Sequence, residues 1–398
     1  MISGKDIVIV GQQAWDVEIG SNCKNIALEF AQDNRVLYVN SPIKRKEFLK
    51  KNPDEKLQFR KRVIKKEVSG LVEIDHHFWN LFPDCYSESV HWLPDNFIFD
   101  MVNKINNKRY AKTIKKALKE LGFKDIILFN DNDLHDSFHL KELLKPKLSI
   151  YYSRDYILAT EYWNKHGKKL EPLLIAKSDL VVSNSLYLTN YCKQYNPSSY
   201  YVGQGCDFDL FLHPESIPKA EELKDIKTPI IGYVGAITSS RLDIEIMQKI
   251  ALDKPEWTIA LVGNEDDAFQ KSNLHQQDNV LFLGSKKVDE LAKYINSFDV
   301  CINPQLLNQL TIGNYPRKID EYLALGKPVV ATQTEAMEVF KDYVFLAKDK
   351  EEYTTLIEQA LLTNTQQIAQ QRIAFALTHT WKNSVKEIYK AISTKLKS

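Results

Sequence analysis

The stretch Asn314–Thr332, NYPRKIDEYLALGKPVVAT, leaves the backbone few paths. Pro316 fits a first helical turn, where a missing N–H costs nothing. Ile319, Tyr322, Leu323 and Leu325 recur on one helical face. Gly326 can take the left-handed conformation that closes a helix, Pro328 blocks continuation, and Val329-Val330-Ala331 reads as a short buried strand. The pattern predicts a helix from Pro316 to Leu325 between two strands, the earlier one spanning Asp299 to Pro304. The first N–H groups of that helix are expected to be free, and such a terminus attracts anions, phosphate above all. Arg317 and Lys318 bring two cations into the first turn, against the dipole preference for acids there. An anionic ligand would account for them. Glu321, one turn on, can accept hydrogen bonds from ribose or sugar hydroxyls. Phosphate and hydroxyls together describe a nucleotide.

The motif PRKIDEYLALGKPVVAT resembles the donor-binding motif of family-four GT-B glycosyltransferases, glycosyl transferases group 1, and among them the bacterial teichuronic-acid-type enzymes. The resemblance implies an α/β fold of GT-B class: two Rossmann-like parallel-sheet domains facing a central cleft, with a C-terminal helix crossing back to the first domain. It implies that Glu321 holds the ribose of a nucleotide sugar. The family's second Glu, eight positions earlier, meets the donor sugar, but this chain has Gly313 there, beside Asn314. Asn314, Tyr315, Arg317 and Lys318 complete the implied donor side of this corner. Also implied is a retaining transfer, hexosyltransferase-like, with no bound metal and no cofactor beyond the nucleotide-diphosphate sugar substrate. The leaving group's charge would be met by Arg241 and Lys318, and the departing phosphate would itself deprotonate the acceptor hydroxyl.

A chain of 398 residues is comfortable for two domains with separate cores. The expected division is an acceptor-side domain over residues 1–211, a polar linker over 212–228, a nucleotide-sugar domain over 229–378 and a returning helix over 379–398. Residues 1–211 carry 31 Lys and Arg against 27 Asp and Glu, and residues 212–398 carry 22 against 25. Neither balance points to nucleic acid. The opening MISGKDIVIVGQQAW reads as neither a signal peptide nor a span, and no later run is long enough to cross a bilayer. Five scattered cysteines without CxxC spacing fit a reduced cytoplasmic compartment.

From the N-terminus, DIVIVG, a helix opening at Gly20-Ser21-Asn22, and RVLYVN form a βαβ start without a GxGxxG fingerprint. In GT-B enzymes the loop before such a helix approaches the donor phosphates, which makes Gly20 a donor-side candidate; easing helix entry is the alternative. Ile43–Lys66 is strongly basic with interleaved Phe48, Leu49, Leu57, Phe59, Val63 and Ile64. It reads either as a surface for anionic lipid or a phosphate-bearing acceptor, or as a solvated helical face. The first option would place the enzyme peripherally on the inner membrane face. Asp131-x-Asp133 resembles the metal motif of GT-A enzymes, though a strand-end turn and helix cap explain it too. Arg154 and Asp155 follow the strand LSIYYS, at the edge where parallel sheets bind ligands. Family position makes them and Asp131 acceptor-side candidates and Asp155 a catalytic one; a local Arg–Asp pair is the alternative. His166-Gly167 is expected to end a helix, and Cys206 is read as structural.

In the second half, PIIGYVGAI leads to Thr238-Ser239-Ser240-Arg241. Many relatives carry an Arg and a Lys in the equivalent turn, gripping the donor diphosphate. Here only Arg241 is cationic, and Ala236 takes the other place. An Arg fork suits a diphosphate, while a salt bridge to Asp243 or Glu245 is the alternative. The expected function is transfer of a sugar to a glycan or lipid-linked acceptor in cell-surface polysaccharide synthesis. Two competitors stay open. One is a non-hydrolysing nucleotide-sugar epimerase, which needs converging acid–base groups and has only Asp131, Asp155 and His135 by position. The other is a catalytically silent nucleotide-sugar-binding relative.

Overall fold

The computed structural model describes residues 2–17 and 20–397. The chain forms two compact units: one runs up to Gly203 and resumes at Ser384, and the other spans Gln204–Asn383.

In the first unit, apolar runs become the strands β1 (Asp6–Gly11), β2 (Arg35–Val39), β4 (Leu71–Asp75), β5 (Phe78–Leu81), β7 (Ile127–Asp131), β8 (Leu148–Ser153), β9 (Leu180–Ser183) and β10 (Ser199–Tyr201). They make an eight-stranded sheet in the order β10-β9-β8-β7-β1-β2-β5-β4, parallel except for the β4–β5 pair. A short ribbon joins β3 (Ile43–Lys44) to β6 (Tyr86–Ser87). β1, β7 and β8 are buried along their whole length, as expected of strands covered on both faces. The C-terminal helix, Trp381–Lys397, contributes Tyr389, whose ring stacks on Phe30 at 5.6 Å and whose hydroxyl accepts from Asn34 at 2.8 Å.

In the second unit, β11 (Ile230–Val234), β12 (Thr258–Val262), β13 (Val280–Phe282), β14 (Val300–Asn303), β15 (Val329–Thr332) and β16 (Phe345–Ala347) form one parallel sheet in the order β13-β12-β11-β14-β15-β16. Alternation along β11 sends Ile230 and Val234 into one core and Ile231 and Tyr233 into the other. The strand order reverses between β11 and β14, and open parallel sheets bind ligands at that crevice.

Three expectations need correction. The polar stretch 212–228 is not a free linker, because Ala220 and Leu223 are buried in the second unit's core and Ile217 and Ile226 pack against it. Asn296 and Ser297 bond to the Ile217 carbonyl and the Ala220 N–H. A few apolar residues hidden among charges were enough to fasten it, and the division falls at Gly203 instead. His166 does not end a helix: it lies within Glu161–Lys177, fully buried, stacked on Phe99 at 3.8 Å. Gly167 serves close packing there, since a Cβ would stand 2.5 Å from Leu158.

Among the described residues no helix is long and apolar enough to cross a membrane.

Candidate functional site

The corner read from the sequence folds as a helix, Lys318–Ala324, running into β15. Ile319, Tyr322 and Leu323 are fully buried. Gly326 takes φ +69° and its N–H bonds to the Leu323 carbonyl, so the helix closes in a left-handed turn. The start differs from expectation. Pro316 and Arg317 form a turn ahead of the helix, and the N–H groups of Arg317, Ile319 and Asp320 are bonded to the carbonyls of Tyr315, Pro316 and Arg317. Those groups are therefore not free for an anion. With one short helix behind them, the side chains must carry the electrostatics.

They do so in a pocket of about 400 Å³ at the carboxyl ends of β11 and β14. Arg241, Asn314, Tyr315, Arg317, Lys318 and Glu321 all line it. Glu321 is the sole carboxylate on the wall against two arginines and a lysine, so the pocket favours an anion.

Lys318 reaches back over β11. Its Nζ donates to the Tyr233 hydroxyl and lies 3.9 Å from the centre of that ring. Burial pushes its pKa down to about 7; Glu321 opposes the shift and Arg241 adds to it. Burial raises the Glu321 carboxyl, with Arg317, 3.6 Å away, and Lys318 holding it back.

Arg241 is held through its backbone. Its N–H bonds to the Thr238 carbonyl and its own carbonyl accepts from Leu306, while Asp266 accepts from both N–H and hydroxyl of Ser239. The expected alternative partners are occupied elsewhere: Asp243 caps the helix Ile244–Asp253, and Glu245 pairs with Lys350 at 2.8 Å. Among the described residues the guanidinium of Arg241 has no ion pair, and it is exposed at the pocket rim.

Tyr315 lines the pocket, but its hydroxyl serves other partners. Its hydroxyl donates to Asp320 at 2.9 Å and contacts His379 Nδ1 at 3.2 Å, so it is turned under the corner. Asp320 is fully buried, and burial raises its carboxyl. Sequence reasoning missed this network, along with Tyr233 and Asn303. Asn303 closes β14 on the pocket wall, buried, and its amide N–H has no partner among the described residues. A polar residue ending an apolar strand was a usable signal for Asn303. Tyr233 carried none that separates it from an ordinary core aromatic.

In the first unit, Arg154 lies between two carboxylates, its Nε 2.9 Å from Asp131 and its Nη1 2.6 Å from Asp155. Asp131 is fully buried, whereas Asp155 is half exposed. Asp133 accepts from the His135 and Asp136 N–H groups and from the Ser137 hydroxyl. Asp131 and Asp133 thus serve different partners, and no cluster fit to hold a metal occurs among the described residues. His135 is buried, stacked on Trp163 at 5.0 Å, with its pKa lowered to about 4 by burial. Gly20 is exposed just ahead of the Ser21 cap, and a side chain there would meet open space.

Residues 228–363 match the family model of glycosyl transferases group 1, so the resemblance drawn from the 316–332 motif holds. TuaH of Bacillus subtilis, named for teichuronic acid biosynthesis glycosyltransferase activity, is 28% identical over 197 residues, covering 47% of this chain and 49% of that protein. The chain spans about half the length of the curated relative it matches. Two solved structures share the fold over nearly the whole chain. The α,α-trehalose 6-phosphate synthase of Burkholderia multivorans aligns with a TM-score of 0.68 at 9% identity, over 99% of each chain. Anabaena Alr3699/HepE in complex with UDP aligns at 0.66 and 16%, over 98% of this chain and 100% of that one. The fold class is the α/β GT-B one expected from the sequence, with a parallel sheet in one domain and a parallel sheet carrying one antiparallel edge strand in the other.

Proposed function

We propose that this chain is a glycosyltransferase that takes a sugar from a nucleotide-diphosphate donor and delivers it to a glycan or lipid-linked acceptor in cell-surface polysaccharide synthesis. The observation that carries the reading is the grouping of Arg241, Arg317 and Lys318 with Glu321 in one pocket at the switch point of the second sheet. The diphosphate would lie against Arg241 and Lys318, and Glu321 would accept from the ribose hydroxyls. Asn314 beside Gly313, and the unpartnered amide of Asn303, are candidates for the sugar. HepE is solved with UDP and with UDP-glucose, which makes a uridine nucleotide the first donor to try.

The proposed step is retaining and needs no metal. The bond from the anomeric carbon to the diphosphate oxygen breaks, and its electron pair leaves with the phosphate. The acceptor oxygen bonds to the same face of that carbon, and its proton passes to the departing phosphate. The cations stabilise charge that grows as the bond lengthens. Asp155, held by Arg154, is the acceptor-side candidate, and Asp131 fixes Arg154 from below.

A peripheral contact with an anionic membrane, on the cytoplasmic face, belongs to the same proposal. Residues 43–66 hold eleven Lys and Arg against three acids. Leu49 and Trp92, 71% and 66% exposed, line one groove with Arg45, Lys46 and Glu88, which pairs with Arg45 at 3.0 Å.

Calorimetric titration with UDP-, GDP- and ADP-sugars, then release of nucleoside diphosphate with acceptor present, tests the reading. One donor class should bind and turn over. Isomerised donor without acceptor would mean an epimerase, and tight binding with no turnover a silent relative.

A further inference from the structure

We propose that Tyr233 is the positioning residue for Lys318, and that the pair sets a cation over the Gly235–Ala236 turn, which has none of its own. The inference rests on the reading of this pocket as a diphosphate site.

Hydrogen-bond bookkeeping supports it. A phenol has one proton to give and two lone pairs to offer. The Tyr233 hydroxyl gives its proton to the Ala236 carbonyl at 3.1 Å, so it faces the Lys318 ammonium as an acceptor. The ring adds a cation–π contact at 3.9 Å. Tyr233 is itself 2% exposed and packed in the core that contains Ile231 and Ile302. A lysine otherwise swings freely on a four-carbon stem; here its end is fixed at both the face and the hydroxyl of a buried ring. Among the described residues Nζ has no other hydrogen-bond partner, which leaves two of its three donors for a ligand.

The turn is shaped to admit that ammonium. Gly235 has φ +141°, a conformation side chains rarely adopt, and a Cβ there would stand 2.7 Å from Nζ and 3.1 Å from the Tyr233 hydroxyl oxygen. Any other residue would push the lysine off the ring. The cation that the turn lacks at Ala236 is thereby supplied by a residue 82 positions later, on the neighbouring corner.

The test compares UDP, GDP and ADP with their nucleosides by titration calorimetry on the full chain, using wild type, Tyr233→Phe, Tyr233→Leu, Lys318→Met and the double variant Tyr233→Leu/Lys318→Met. Lys318→Met should weaken the best diphosphate about tenfold or more while sparing its nucleoside. Tyr233→Leu should weaken the diphosphate roughly fivefold, Tyr233→Phe less because it keeps the ring. The double variant should be no worse than Lys318→Met, since a positioning group has nothing left to position. Independent, multiplying losses overturn the inference, as does equal loss of nucleoside and diphosphate in Tyr233→Leu, which marks a purely structural role. Wild-type behaviour of both Tyr233 variants overturns it while the diphosphate reading stands. If no diphosphate binds wild type, or Lys318→Met binds normally, the diphosphate reading itself falls and takes the inference with it.

Discussion

Nδ1 of His379 lies 2.6 Å from Oδ1 of Asp320, a carboxylate with no exposed surface. The His379 carbonyl in turn accepts the Cys206 N–H at 2.8 Å, just after the chain enters the second unit. One buried hydrogen-bonded contact thus ties the corner that carries Lys318 and Glu321 to the two ends of that unit. Both sides of the pair are packed among Tyr315, Phe340 and Phe375.

Removing Asp320 takes away the acceptor that the Tyr315 hydroxyl and the His379 ring share. Asp320→Ala is expected to cost about 1–3 kcal/mol of folding stability, the cost of leaving those groups without their acceptor, read by urea denaturation. A loss under about 1 kcal/mol would show that water replaces the missing carboxylate.

Lys318 should make stability depend on pH in a defined window. Its pKa is about 7 in the folded chain against 10.5 unfolded, so between these values the unfolded state binds the extra proton. Stability from this residue should therefore rise from pH 7 towards 10.5 and be flat below 7. Lys318→Met should melt higher than wild type at pH 7, with the gap closing in alkali. An equal gap at all pH values would mean the ammonium is not desolvated.

The same residue predicts proton uptake on ligand binding. At pH 8 the empty pocket holds a mostly neutral Lys318, and a diphosphate would restore its charge. Calorimetry in two buffers of different ionisation heat should give an uptake approaching one proton, absent in Lys318→Met. No buffer dependence in wild type would contradict a lysine–phosphate contact.

Glu321→Ala should weaken nucleotide binding by about 1–3 kcal/mol, the cost of leaving hydrogen bonds to a charged group unmade. Arg241→Ala should lower kcat more than it raises KM, because the leaving group's charge grows only in the transition state. A change in KM alone would make Arg241 a ground-state anchor.

Liposome sedimentation should need anionic lipid and fade with salt, because exposed charge attraction is screened. Trp92→Ala should weaken it at fixed charge. Equal binding to neutral vesicles would remove the basic segment from the contact.

Local chemistry made much of this protein legible from its residues in order. Pro316 and Pro328 fix φ whatever surrounds them and Gly326 permits the left-handed turn, so the corner and its strand were readable, and apolar runs such as DIVIVG and VVAT became strands because burial on both faces suits them. Arg317 and Lys318 could be named because cations that oppose the helix dipole stand out against local expectation. Glu321 could be named because a carboxylate one turn on can accept from hydroxyls, and Arg241 through the resemblance to the family. Tertiary structure decided where those side chains end. Whether Lys318 finds Tyr233, whether Tyr315 turns to Asp320 and His379, and whether 212–228 is slack or packed depend on partners tens of residues away. Such pairings are set by which surfaces meet when the sheets are covered, and short-range propensity carries no record of that.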